Sequence, residues 1–137
     1  MNKDIRIVVT GTQKNELGEI SHETTKDKGQ YFFRNNTHYV IVEDEMTAQS
    51  SRYKFNHRYL EVVKNGDINA KLYFEAGKDY TSEYRTPFGR MVLTFDTSSL
   101  TLCVTDEKIV VSASYVILSD GNVISDNTFE AVIENLG

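Results

Sequence analysis

The chain has 137 residues, of which 39% are hydrophobic and 26% charged, and its net charge at pH 7 is −5. That length is typical of one domain, and that composition excludes an intrinsically disordered chain. Residues 91–137 carry one basic and seven acidic side chains, so nucleic acid is an unlikely partner, because proteins that bind it need a basic face.

The choice of residues predicts a β protein. Val, Ile and Thr occupy 35 positions and Ala only five, and branched side chains favour the pleated surface of a sheet. Pro87 is the only proline, so the turns must be built from Gly, Asn, Asp and Ser. The predicted fold class is all-β, a single antiparallel barrel of about 8 to 10 strands spanning residues 1–137.

Alternation of apolar and polar residues predicts the strands in chain order. Some of these candidates are expected to merge, and the pairing of residues 11–30 stays open. Asn65-Gly66 and Asp120-Gly121 predict two-residue hairpin turns, because both central positions need positive φ, and residues 96–99 predict another turn. The predicted strands are 3–10, 19–26, 30–34, 37–43, 52–56, 58–64, 68–75, 79–86, 90–95, 100–105, 108–119 and 122–134.

The more apolar phase of each strand predicts the inner face of the barrel. Tyr39 and Ile41 are assigned to this face, as are Leu60 and Val62. The opposite phase carries most of the charge, as one wet and one dry face require. The many inward aromatic rings leave room for a small cavity at most.

One strand of the predicted barrel carries a candidate ligand site. Tyr80, Ser82 and Tyr84 share a phase and lead into the turn with Thr86 and Phe88. Hydroxyls and aromatic faces together suit the mouth of a small-molecule pocket. The same tyrosines could instead only close the end of the barrel. Tyr115, on the inner phase of a later strand, is predicted to join this candidate site.

A second candidate is an outer surface for protein or nucleic acid. Cations at Arg52, Lys54, Arg58 and Lys64 alternate with aromatic rings, a pattern that can bind single-stranded RNA. Alternation places Tyr53 and Phe55 opposite the cations, so an ordinary solvated strand face is favoured.

A third possibility is association with a second copy of the chain. Val110, Val116 and Leu118 make the outer phase of residues 108–119 more apolar than a solvated strand needs. A homodimer through that face is therefore possible, although a neighbouring segment could cover it equally well.

No pattern of catalytic or metal-binding residues emerges. His22-Glu23 begins like a zinc-binding helix but lacks the second histidine, and His38 and His57 are expected to be solvated. We therefore predict no catalytic residue, no metal and no cofactor, and an enzyme is the less favoured class. Cys103 is the only cysteine; it predicts a buried or half-buried, inert thiol in a reducing compartment.

The segment at 5–9 is too short for a signal peptide core or a membrane span. The sequence therefore predicts a cytoplasmic protein without a membrane partner.

The order of four motifs resembles the bacterial family of the domain of unknown function numbered 1934. These motifs are Lys64-Asn65-Gly66, Leu72-Tyr73-Phe74 followed by Gly77, Tyr84-Arg85-Thr86-Pro87-Phe88-Gly89, and Tyr115-Val116-Ile117-Leu118. The third is the most specific. The resemblance spans nearly the whole chain and implies a calycin-like, or lipocalin-like, barrel but no particular activity.

Overall fold

The computed structural model describes residues 2–44 and 46–135. The described residues form ten strands and include no helix that could cross a membrane. The strands are β1 (Lys3–Asn15), β2 (Ile20–Arg34), β3 (Thr37–Asp44), β4 (Gln49–Phe55), β5 (Tyr59–Asn65), β6 (Ala70–Glu75), β7 (Asp79–Thr86), β8 (Gly89–Val104), β9 (Lys108–Ser119) and β10 (Asn122–Glu134).

All ten strands belong to one antiparallel sheet that nearly closes into a barrel. The order is β6-β5-β4-β3-β2-β1-β10-β9-β8-β7, so β1 pairs with β10, and all strands that are consecutive in sequence pair except β6 with β7. Only β6 and β7 do not form a ladder; we call the line between them the seam. A single bridge crosses it, in which Asn69 and Arg85 exchange two backbone hydrogen bonds of 2.9 Å. This calycin-like barrel confirms the predicted fold class.

Two of the hairpin turns show how local chemistry decides the chain's path. Asp120 and Gly121 both have positive φ, at 51° and 79°, and form the predicted two-residue turn. At Asn65-Gly66 the two-residue turn is wrong, because Asn65 stays in the strand and the loop continues to Asn69. The Asn69 side chain holds this loop by bonding both the N–H and the carbonyl of Gly66.

The turn predicted at residues 96–99 is also wrong. β8 runs straight through this segment, and a bulge between Thr97 and Ser99 absorbs the extra residue against β9. The hydroxyl of Ser98 donates to the carbonyl of Ser114 at 3.1 Å. The bulge therefore lets these turn-forming residues lie within a continuous strand.

The interior is filled by one continuous cluster of apolar side chains toward the end where β2 turns into β3. Its largest fully buried members are Phe55, Phe74 and Phe95. In β3 the inward residues are His38, Val40 and Val42, not the predicted Tyr39 and Ile41. Both phases of β3 are apolar, so alternation alone could not choose between them.

Candidate functional site: a polar pocket inside the barrel

Toward the other end of the barrel, the inward-facing side chains become polar. Across β4, β5 and β6, Ser51 pairs with Lys64, and Lys64 with Ala70. The Asn69–Arg85 bridge places Ala70 opposite Tyr84 across the seam. Because directly paired residues share a face, Lys64 and Tyr84 both point inward with only the methyl group of Ala70 between them.

Two tyrosines lie side by side in this region. Tyr84 on β7 is close enough to Tyr115 on β9 to raise the pKa of the Tyr115 phenol. Burial raises the pKa of both phenols to about 12, so both keep their protons near neutral pH. Neither hydroxyl forms a hydrogen bond within the described part of the chain, which leaves two donors directed at the interior.

Two smaller hydroxyls flank the tyrosines and are buried without partners. Ser82 precedes Tyr84 on the same face of β7 and is 4% exposed, and Thr97 pairs with Tyr115 and is 1% exposed. Ser82 Oγ and Thr97 Oγ1 have no hydrogen-bond partner among the described residues. Buried hydroxyls are nearly always paired, so these two are unusual.

The space beside Tyr115 is formed by a glycine. Gly11 on β1 pairs with Glu23 on β2 and Phe129 on β10, and a Cβ added to it would meet no atom within 4 Å. A cleft of about 130 Å³ opens here, lined by Gly11, Glu23, Tyr115 and Asn127 among others. We use the name polar pocket for these four residues together with Lys64 and Tyr84, which point into the same end of the barrel but do not line the cleft itself.

The polar pocket contains one positively and one negatively charged side chain, Lys64 and Glu23. Burial lowers the pKa of the Lys64 ammonium, and the Glu23 carboxylate partly offsets this by raising it. These two groups do not form a direct ion pair. A neighbouring phenol, Tyr53, has a pKa raised to about 12, first by burial and then by Asp27.

The structure brings together three of the predicted ligand-site residues, namely Ser82, Tyr84 and Tyr115. Tyr80 packs its ring against Tyr73, 5.9 Å away between centroids. Thr86 stabilises the hairpin turn through the Phe88 N–H and the Gly89 carbonyl.

The remaining candidate, Phe88, is 99% exposed at the tip of its hairpin.

Sequence reasoning missed most of the polar pocket. Lys64 was assigned to the outer surface but lies inside, and its shared phase with the core residues Leu60 and Val62 was the available signal. Thr97 was hidden by the turn predicted there. Gly11 and Glu23 lay in the segment whose pairing had stayed open.

The outer surface does combine cations with aromatic rings, one of which, Tyr59, belongs to the run of alternating cations and rings in the sequence. Lys54 lies 5.8 Å from the centre of the Tyr39 ring, which stacks on Phe32 at 4.6 Å. Arg58 lies 5.3 Å from the centre of the Tyr59 ring. Arg52 is exposed on the same sheet.

The outer stripe of β9 is less open than expected. Val110, Val116 and Leu118 are each half-buried between the neighbouring strands.

His38 is buried, which the sequence did not predict. Its Nδ1 lies 2.8 Å from the hydroxyl of Tyr31, and its ring packs between Phe33 and Phe55. Burial lowers the pKa of His38, and His57 lowers it further. Cys103, expected to be half-buried, is exposed.

No group of three acidic, histidine or cysteine residues in segments 2–44 and 46–135 lies close enough to hold a metal ion.

A larger depression lies on the outer side of β1, β2 and β3. It has a volume of about 760 Å³ and is lined by charged residues of both signs, including Asp4, Arg6, Lys28 and Glu43. Asp4 accepts a hydrogen bond from Gln30. The polar pocket is the better candidate site, because the Lys64 ammonium and the Tyr84 and Tyr115 phenols lie inside the barrel without bonded partners in the described part of the chain.

Comparisons with known proteins agree with this architecture. The crystal structure of the ywiB protein from Bacillus subtilis is similar, with a TM-score of 0.83 and 18% sequence identity over 97% of this chain and 92% of that one. None of the curated proteins compared with the chain matches it. The family model "Domain of unknown function (DUF1934)" matches residues 7–130. The chain therefore belongs to the DUF1934 family.

Proposed function

We propose that this barrel binds a small polar ligand in the polar pocket and does not act as an enzyme. The observation that carries the proposal is the pair of buried, partnerless hydroxyls, Ser82 Oγ and Thr97 Oγ1, beside the unbonded phenols of Tyr84 and Tyr115. Leaving a buried polar group unpaired costs about 1–3 kcal/mol, so a chain that keeps several of them in one place gains if a ligand pairs them.

The space available fits a ligand of modest size. The cleft of about 130 Å³ lies directly beside Tyr115 and Asn127. The apolar cluster fills the rest of the interior, so a long hydrocarbon chain has no room there. These two features together favour a compact, hydrogen-bonding molecule over a lipid.

Native mass spectrometry of the protein purified from bacterial cells tests this proposal. We expect an added mass that disappears on denaturation. The Gly11→Leu variant should lose that mass, because its side chain would fill the space beside Tyr115. Thr10→Leu, at a neighbouring outward position of β1, is the matched control. A bare mass for the wild type, with no small molecule raising its melting temperature, would refute the proposal.

A second candidate function is self-association, favoured by exposed apolar side chains at three turns. Leu17, Met46 and Phe88 are 83%, 96% and 99% exposed, and their turns lie at the same end of the antiparallel barrel. Sedimentation at increasing concentration tests this candidate. Association that Phe88→Ser weakens would support it. Loss of association in Val116→Glu would instead point to the outer face of β9.

We also propose a cytoplasmic location. The exposed thiol of Cys103 supports it, because such a thiol persists most readily in a reducing compartment. Measuring the activity of a fused reporter that folds only in the cytoplasm would test this, and secretion of the fusion would refute it.

A further inference from the structure

We infer that the ligand of the polar pocket carries an oxyanion, a carboxylate or a phosphate, that contacts the ammonium of Lys64 and accepts hydrogen bonds from Tyr84 and Tyr115. This inference rests on the proposed function and narrows it to one chemical class. The two anions share the chemistry that these side chains recognise, and the experiment below distinguishes them.

Lys64 is the first reason. It is the penultimate residue of β5 and points inward, with Ser51 and Ala70 as its cross-strand neighbours. Within residues 2–44 and 46–135, its Nζ forms no ion pair and no hydrogen bond. By contrast, Lys71 and Lys78 pair with carboxylates on the outer surface. A largely buried ammonium without a direct partner is unfavourable unless a ligand supplies the negative charge.

The second reason is the balance of donors and acceptors around Lys64. The phenols of Tyr84 and Tyr115 stay protonated, and neither is used within the described part of the chain. Ser82 and Thr97 add two unused hydroxyls beside them. Ionised carboxylates and phosphates offer acceptors, so they complement this lining better than a neutral molecule does.

The acceptors that line the cleft explain why the ligand should be more than a bare ion. Glu23 and Asn127 line the cleft with Tyr115. Asn127, the cross-strand partner of Tyr115, uses its amide N–H₂ to bond Ser125 at 2.9 Å, which leaves its carbonyl oxygen as an acceptor. These acceptors suit a hydroxyl or an amine at the far end of the ligand. The ligand would therefore have one anionic end and one hydrogen-bond-donating end.

Isothermal titration calorimetry with four probes tests the inference. The probes are inorganic phosphate, glycerol 3-phosphate, glycerate and neutral glycerol. We expect at least one of the organic anions to bind more tightly than glycerol, and their relative affinities to show whether phosphate or carboxylate is preferred. Inorganic phosphate should bind more weakly than the preferred anion, because it cannot reach Glu23 and Asn127.

Three variants test whether anion binding depends on Lys64. Lys64→Met should weaken the binding of the preferred anion about 10- to 100-fold, the usual effect of losing a charge-assisted hydrogen bond. Lys64→Arg should retain most of the affinity, and Lys71→Met, on the outer face of the adjacent strand, should leave it unchanged. Far-ultraviolet circular dichroism verifies that each variant is folded.

Three results would overturn the inference, the first two of them in the wild type. One is binding of glycerol as tight as that of the anions, and another is no binding of any anion at millimolar concentration. The third is unchanged anion affinity in Lys64→Met. If the wild type instead carries a neutral ligand whose mass Gly11→Leu removes, the proposed function stands and only the oxyanion is wrong.

Discussion

Replacing Lys64 by methionine should make the protein more stable. The ammonium lies inside the barrel between Ser51 and Ala70, and burial lowers its pKa from the ordinary value of 10.5, although Glu23 partly opposes this. Methionine has a similar length and no charge to desolvate. Exchanging a buried charge for an apolar side chain is neutral to stabilising, and here we expect a gain of roughly 1 kcal/mol. For a domain of this size the melting temperature should rise by about 3–5 °C.

The pH dependence of that gain identifies its cause. In the folded protein Lys64 loses its proton at a lower pH than in the unfolded chain. Between those two pKa values the unfolded chain binds more protons, so the stability of the wild type rises with pH in that window. Below the window both states are protonated and the cost of burial is complete. The advantage of Lys64→Met should therefore be largest near pH 7 and shrink as the pH approaches 10.5.

Urea unfolding of both proteins at pH 7 and pH 10 measures this difference. Lys71→Met is the control, because its ammonium is half-exposed and 3.9 Å from Glu61. We expect the control to change stability by less than about 0.5 kcal/mol at either pH. A Lys64→Met variant that is less stable than the wild type, or whose difference does not vary with pH, would refute the reasoning.

Three further predictions concern the barrel itself. Gly29→Ala should lower the free energy of unfolding by about 1–3 kcal/mol, because its Cβ would lie 2.7 Å from the Ile41 carbonyl oxygen. Gly11→Ala should be tolerated, because its Cβ would meet no atom within 4 Å. Equal urea midpoints for the two variants would contradict this. His38 has a lowered pKa, so acid should reduce stability below pH 6.5, where the unfolded chain takes up the proton first; His38→Phe should flatten that slope in pH-dependent melting, whereas an unchanged slope would exclude His38 as its source. Phe74→Ala should cost about 3–5 kcal/mol with an unchanged denaturant slope, and a loss below 1 kcal/mol would show that the aromatic cluster can repack.

The sequence was informative where one signal acted alone. Asp120-Gly121 has no alternative to a tight turn, and the resulting hairpin formed as predicted. At Asn65-Gly66 the same signal competed with the side chain of Asn69, which bonds Gly66 three residues away, a contact that a two-residue pattern does not include.

In β3 the two phases are equally apolar, so only packing could decide between them. Packing places His38 in the interior, where its Nδ1 forms a hydrogen bond with the Tyr31 hydroxyl.

The polar pocket was largely hidden from the sequence for a different reason. Its members come from β1, β2, β5, β7, β9 and β10, and no short motif joins them. Tyr84 and Tyr115 could be assigned to the interior by alternation. Lys64 could not, because charge normally indicates the solvated phase, and a functional interior breaks that rule.

The seam is held by fewer backbone hydrogen bonds than any other part of the barrel wall. Every other pair of neighbouring strands shares a ladder, whereas β6 and β7 share the Asn69–Arg85 bridge and their connecting turn. Separating these two strands breaks only two backbone hydrogen bonds, those of the bridge, besides the ring contact of Tyr73 with Tyr80. Lys64 and Tyr84 lie on opposite sides of the opening. The amide protons of Asn69 and Arg85, which bond across the seam, should therefore exchange with solvent by local parting of the two strands, long before the rest of the sheet opens. A molecule could reach the interior by the same motion while the other ladders remain intact.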